Sequence, residues 1–169
     1  MIDAMINAIG DFFINLPFPL PLKVMLSAMI PMVEARYSIL FFMNSGMNYW
    51  ALFGLSVLGN MIPVPFIIYL FRPLLGFLRR TKAFSKIATK LEERTHKKTA
   101  QLQKYSALGL FLFVAIPVPG TGAITGSMMA ALLGMREKYA LPAIFLGTIV
   151  ATFLTTGAWG MLQALFGWT

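Results

Sequence analysis

Two charged side chains, Glu34 and Arg36, lie two positions apart inside an apolar run from residue 24 to 45. A charge at membrane depth costs roughly 2.5 to 3.5 kcal/mol on insertion scales, so such residues face a cavity or a partner rather than lipid. Spaced i, i+2, the two point to nearly opposite sides of a helix, so either the backbone is extended there or each charge has its own partner. The competing reading is that the segment barely enters the membrane and both side chains snorkel to headgroups. A second stretch, Ala115-Ile-Pro-Val-Pro-Gly-Thr-Gly-Ala-Ile-Thr-Gly-Ser127, interrupts the apolar run from 107 to 135. Pro117 and Pro119 donate no backbone hydrogen bond and Gly120 and Gly122 resist helix, so this run must open near its middle. The amides of Gly120, Thr121 and Gly122 would then sit at the mouth of a helix starting near Ala123, where backbone donors and the dipole favour an anion. Thr121 and Thr125 add hydroxyl donors. The alternative is a packing kink, in which Gly122 and Gly126 let two helices approach closely. Asn60 and Thr148, in Leu58-Gly-Asn60 and Leu146-Gly-Thr148, complete the candidate substrate or ion ligands; an interhelical hydrogen bond is the blander role for Asn60.

Other chemistries have no residues to carry them. The chain has no cysteine and one histidine, His96, which lies in a polar stretch without a second ligand. Thiol chemistry, a cysteine-ligated metal and a Ser/His/Asp set are therefore absent, and no enzymatic activity, cofactor or metal is expected.

Composition identifies the setting. With 169 residues, 58% hydrophobic, 12% charged and a mean hydropathy of +0.75, the chain is too apolar for an ordinary soluble domain and reads as an all-α integral membrane protein. The runs 24 to 45, 49 to 71, 107 to 135 and 139 to 166 are long enough to enter or cross a bilayer, for which a helix needs about 20 residues. A net charge of +8 could suggest nucleic acid, but ten of the fourteen basic residues fall between Arg72 and Lys104, beside a membrane segment. Positive-inside bias accounts for them, and no nucleic acid is expected. The N-terminus carries Asp3 and Asp11 without a basic leader, so no cleavable signal is expected.

The elements that must position the candidate residues follow from pattern. Residues 1 to 16 place Ile2, Met5, Ile6, Ile9, Phe12 and Phe13 at helical spacing against Asp3, Asn7, Asp11 and Asn15, which predicts an interfacial amphipathic helix. Pro17-Phe-Pro-Leu-Pro21 then forces a turn. Tyr49 to Phe71 reads as a spanning helix with an aromatic belt at one end, Arg72 at the other and a kink at Pro63 and Pro65. Residues 79 to 105 read as a cytoplasmic amphipathic linker with Phe84, Ile87, Ala88 and Leu91 on one face and a Glu93/Lys97 pair. After Arg136-Glu-Lys138 comes a long helix, Tyr139 to Phe166, whose small and hydroxylated residues suggest a packed, partly polar face.

Setting Ile30-Pro31 over Ile116-Pro117 brings Leu58-Gly-Asn60 close to Leu146-Gly-Thr148, which suggests an internal repeat. Each copy is a broken or re-entrant helix followed by a spanning helix. One spanning helix separates the broken segments, so the second copy would enter from the opposite side, giving an inverted repeat. The expected organisation is one membrane domain over 1–169: a first repeat in 1–78 with its interfacial helix, the linker 79–105, and a second repeat in 106–169. Both termini would lie outside, with residues 79–105 and 136–138 cytoplasmic. The rival count is four full spans.

These same segments, Ile30-Pro with Glu34-x-Arg36, Leu58-Gly-Asn-Met-Ile-Pro-Val-Pro-Phe66, and Ala115-Ile-Pro-Val-Pro-Gly-Thr-Gly-Ala123, resemble the putative small multidrug export family over roughly residues 25 to 160. The paired re-entrant segments are more distantly similar to the DedA superfamily, whose members are associated with moving lipid phosphates across membranes. The resemblance implies a small secondary-type transporter in a multi-pass cell-membrane protein. Glu34 would be its proton- or cation-linked carboxylate, with Arg36 and the Gly120 to Gly122 amides holding a small amphipathic or anionic substrate. A DedA-like lipid-phosphate flippase or scramblase and a purely structural membrane protein are the alternatives. Membrane lipids and a second copy of the chain, as a homodimer, are the expected partners.

Overall fold

The computed structural model describes residues 2–78, 100–118 and 120–166, and every regular element among them is an α-helix. These are α1 (Ile2–Ile14), α2 (Leu20–Ala28), α3 (Glu34–Phe41), α4 (Tyr49–Met61), α5 (Pro63–Leu78), α6 (Ala100–Ala115), α7 (Ala123–Leu132) and α8 (Glu137–Phe166). Most of the expected linker, with His96 and the Glu93/Lys97 pair, lies outside the described residues, as does Pro119; residues 100–105 open α6.

Proline and capping chemistry set many of the boundaries. Pro19 is the N-cap of α2 and Pro21 falls in its first turn, where a missing N–H leaves nothing unpaired. Lys23 Nζ donates to the Ile14 carbonyl at 2.7 Å and so satisfies an open carbonyl at the end of α1. The Asn48 side chain accepts from the Trp50 amide at 2.9 Å and starts α4. Pro31 and Pro117 lie in the two breaks, between α2 and α3 and between α6 and α7.

Both breaks are hairpins. Ser38 Oγ donates to the Val24 carbonyl at 2.9 Å and lies 2.8 Å from Ser27 Oγ. A straight helix would hold residues 24 and 38 about 20 Å apart, so α3 folds back on α2. In the second half, a Cβ on Gly126 of α7 would come within 2.6 Å of Val114 and 3.8 Å of Leu110, both on α6. α7 therefore folds back on α6.

Two apolar rods are long enough to cross a bilayer: Tyr49–Phe71, 23 residues through α4 and into α5, and Glu137–Met161, 25 residues of α8. They coincide with the two spans expected from sequence. At the α4/α5 joint the Ile62 amide donates to the carbonyls of Leu58 and Gly59, which carries the rod across the break that Pro63 imposes. The rods expose Trp50, Phe66, Tyr69, Leu70, Phe153, Leu154 and Met161, a surface that suits hydrocarbon rather than water. The chain is a membrane protein.

The hairpins pack on the rods through glycine. A Cβ on Gly59 would overlap the backbone of Met25, so α4 lies directly against α2. A Cβ on Gly147 would meet Val114 at 2.8 Å and the Phe111 carbonyl at 3.0 Å, so α8 lies against α6 in the corresponding way. One apolar core gathers Phe13, Val24, Ile39, Phe42 and Leu52 from the first half. The other gathers Val64, Ile68, Leu110, Val114, Ala130 and Ile144 from α5 to α8. Glu34 and Arg36 of α3, Asn60 of α4 and Thr148, Thr152 and Thr156 of α8 are buried, and these three helices are in mutual contact.

Candidate functional site

Glu34 opens α3 with φ +52, the only side-chain-bearing residue with positive φ among the described residues. That conformation costs roughly 1 to 2 kcal/mol for an L-residue. Its effect is to take Glu34 out of helical register with Arg36, so that two side chains two positions apart can meet. Arg36 Nη2 donates to Glu34 Oε2 at 2.5 Å, while Nη1 donates to the Val118 carbonyl at 3.3 Å. Neither sequence alternative holds here: a single left-handed residue, rather than an extended run or separate partners, joins the charges. Both residues are buried, at 5% and 7% exposure, so each charge needs the other. The Val118 contact also ties the first hairpin to the second break.

The second break meets this pair at Gly122. Gly122 is the N-cap of α7, with extended φ −116 and ψ −165, and its missing Cβ leaves the space that the Glu34 carboxylate fills. The expected anion at the positive end of α7 is thus supplied by the protein's own Glu34. Two of the three amides anticipated as free donors are engaged: Thr121 N donates to the Val118 carbonyl at 3.1 Å and Gly122 N to Thr125 Oγ1 at 2.9 Å. The Thr121 hydroxyl donates to the carbonyls of Ile116 and Val118, each at 2.8 Å. Both hydroxyls therefore shape the turn and cap. Gly120 has φ +88, which favours glycine, but it is exposed and has open space around its Cβ position. Of the two glycines only Gly120 has positive φ; Gly122 is required instead by close approach.

Beside the ion pair is a cavity of about 10 Å³, the scale of one water. Glu34, Arg36, Asn60, Gly122, Thr148 and Thr152 supply its polar and backbone lining, and Val114, Ala123 and Ala151 the apolar part. Asn60 Oδ1, Thr148 Oγ1 and Thr152 Oγ1 are buried and have no hydrogen-bond partner among the described residues. An orphaned buried polar group costs about 1 to 3 kcal/mol, so three around one cavity are a substantial concentration of unmet hydrogen bonding.

Of the residues singled out from sequence, Glu34, Arg36, Asn60, Gly122 and Thr148 come together at this cavity. Pro117 and Gly120 are exposed, Thr121 and Thr125 serve the break, and Pro119 lies outside the described residues. Thr152 was not singled out as a ligand. Its signal was its place one helical turn beyond Thr148, on the same face of α8. Among the described residues no group of three His, Cys, Asp or Glu side chains could hold a metal ion.

Comparison with known proteins gives one family. The family described as "Putative small multi-drug export protein" matches residues 34–154 of the 169, so the match begins at Glu34 and includes Thr152. No curated protein and no solved structure matches the chain significantly.

Proposed function

The chain belongs to the putative small multi-drug export protein family, and from that premise we propose that it is a secondary-type exporter, not an enzyme, whose working site is the Glu34–Arg36 cavity. The observation that carries the reading is the closed junction itself. A buried ion pair from one hairpin is lodged against the N-cap of the other, beside three unpartnered oxygens from α4 and α8. Intramembrane ionisable groups that face a cavity mark substrate or ion pathways, and transporter sites form where broken helices meet near the bilayer midplane.

In this reading the protein is multi-pass in the cell membrane, and the two hairpins are re-entrant segments of an inverted repeat. Two observations support it. The helices α2, α3 and α7, of 9, 8 and 10 residues, are each too short to cross, and each hairpin folds back on itself. Gly59 and Gly147 also serve equivalent packing roles, and each is followed by a residue with an unpartnered oxygen at the cavity. Glu34 is the coupling carboxylate. The exported compound, small and amphipathic or anionic, binds in another conformation, because about 10 Å³ is far below the roughly 300 Å³ of a small-molecule pocket. Membrane lipids surround the rods, and a second copy of the chain completes the assembly.

The test is reconstitution of the full chain into liposomes with an imposed proton or sodium gradient, following efflux of a fluorescent amphipathic dye. Gradient-driven efflux that is lost in Glu34→Gln supports the proposal. No gradient-dependent movement of dye, with gradient-independent transfer of a labelled phospholipid instead, would replace it with a lipid scramblase.

A further inference from the structure

The cavity beside Glu34 is too small for a drug or a phosphate headgroup, yet it gathers more oxygen than packing requires. We infer that it is a site for one desolvated monovalent cation of sodium size, held by Asn60 Oδ1, Thr148 Oγ1, Thr152 Oγ1 and the Glu34 carboxylate. This rests on the reading of the cavity as the working site and names its coupling ion.

The behaviour of the threonines on α8 carries the argument. Thr155 donates to the Ala151 carbonyl at 2.8 Å and Thr156 to the Thr152 carbonyl at 3.0 Å, the local bond by which a buried helical hydroxyl satisfies itself. Thr148 and Thr152, on the same helix and at 3% and 0% exposure, make no such bond. One turn apart, they share a face, and both line the cavity with Asn60. Three unpartnered neutral oxygens from two helices thus belong to residues that line one cavity with the carboxylate-bearing residue of a third.

Size and charge then narrow the occupant. About 10 Å³ admits one water or one bare ion. Calcium takes six to eight oxygen ligands, several usually carboxylate, and magnesium keeps much of its water shell. This site offers one carboxylate, already shared with Arg36, so a divalent ion is poorly matched. A small alkali cation needs only oxygen dipoles and a fraction of one negative charge. Arg36 is drawn toward the second break by its bond to Val118, and the other Glu34 oxygen is the atom nearest the Cβ position of Gly122.

The experiment uses the purified full chain in detergent, without any gradient, and measures radiolabelled sodium binding together with thermal unfolding in sodium, lithium, potassium and choline chlorides at equal ionic strength. Expected are one sodium per chain and a rise in unfolding temperature with sodium that potassium and choline do not reproduce. The near-isosteric double variant Thr148→Val/Thr152→Val should weaken binding about tenfold or more, from the loss of two ligands. Thr155→Val, whose hydroxyl is spent on its own helix, should bind like the parent chain. If the double variant does not fold, Thr152→Val alone still reads out the loss. A cavity that holds only water gives no cation dependence and overturns the inference, as does sodium binding that survives both valines or a response that follows pH alone. Sodium binding without dye export overturns the export reading and leaves the site standing; gradient-driven export without sodium binding does the reverse.

Discussion

At the scale of single residues, the two glycines of the second break separate by what surrounds them. Gly122→Ala would drive a methyl into the Glu34 carboxylate, so its expected outcome is lost folded yield together with lost transport. Gly120→Ala meets nothing within 4 Å and pays only for its φ of +88, roughly 1 kcal/mol, so it should lower the unfolding temperature slightly and leave dye efflux nearly intact. Parallel unfolding and efflux measurements on both variants check this, and a severe Gly120→Ala with a mild Gly122→Ala would contradict it. The ion pair makes a second case. Arg36→Gln leaves the Glu34 carboxylate buried without its partner, a loss of about 3 to 5 kcal/mol. Arg36→Gln combined with Glu34→Gln removes the uncompensated charge, so the double variant should unfold at a higher temperature than Arg36→Gln alone. Sequence indicated that the two charges needed partners. It could not indicate that they partner each other, because that depends on the left-handed backbone at Glu34.

Elements here are short helices held together by close approach. Gly59 and Gly147 allow α4 and α8 to lie against α2 and α6, and in each case the obstructing atoms include backbone, which cannot rotate away. Gly59→Ala and Gly147→Ala should therefore reduce monodisperse protein on size-exclusion chromatography. Gly54→Ala and Gly157→Ala, on the same two rods but with open space at the Cβ position, should not. Equal yields from all four would show that these helix contacts are loose. The fold-back of α3 on α2 rests partly on three buried hydroxyls, Ser27, Ser38 and Ser56, linked through Ser38. The rods were legible in the sequence from the length of their apolar runs, and both breaks because proline and glycine act on their own backbone. Which helix each glycine touches was not.

For the whole molecule, the proposed topology puts one rod between two hairpins that enter from opposite faces. Because the chain has no cysteine, single substitutions can be labelled without a background. Cysteine at Asn44, beside the start of the first rod, should be labelled from outside, and cysteine at Lys138, at the start of α8, only from the cytoplasm. Labelling of both from one face would overturn the inverted repeat. What the sequence by itself determined is the membrane setting, the helical class, the two rods and the positions of the breaks. Each follows from properties a residue carries with it: transfer free energy, a missing N–H, a missing Cβ. What only the tertiary structure decided is the site. Residues 34 and 122 meet because two hairpins pack against the same rods, and on α8 the hydroxyls of Thr148 and Thr152 stay unpartnered at the cavity while those of Thr155 and Thr156 donate to carbonyls of their own helix. Identical residue types on one helix take opposite roles there, because whether a hydroxyl bonds to its own helix or is left at a cavity is set by the packing around it and not by the residue type.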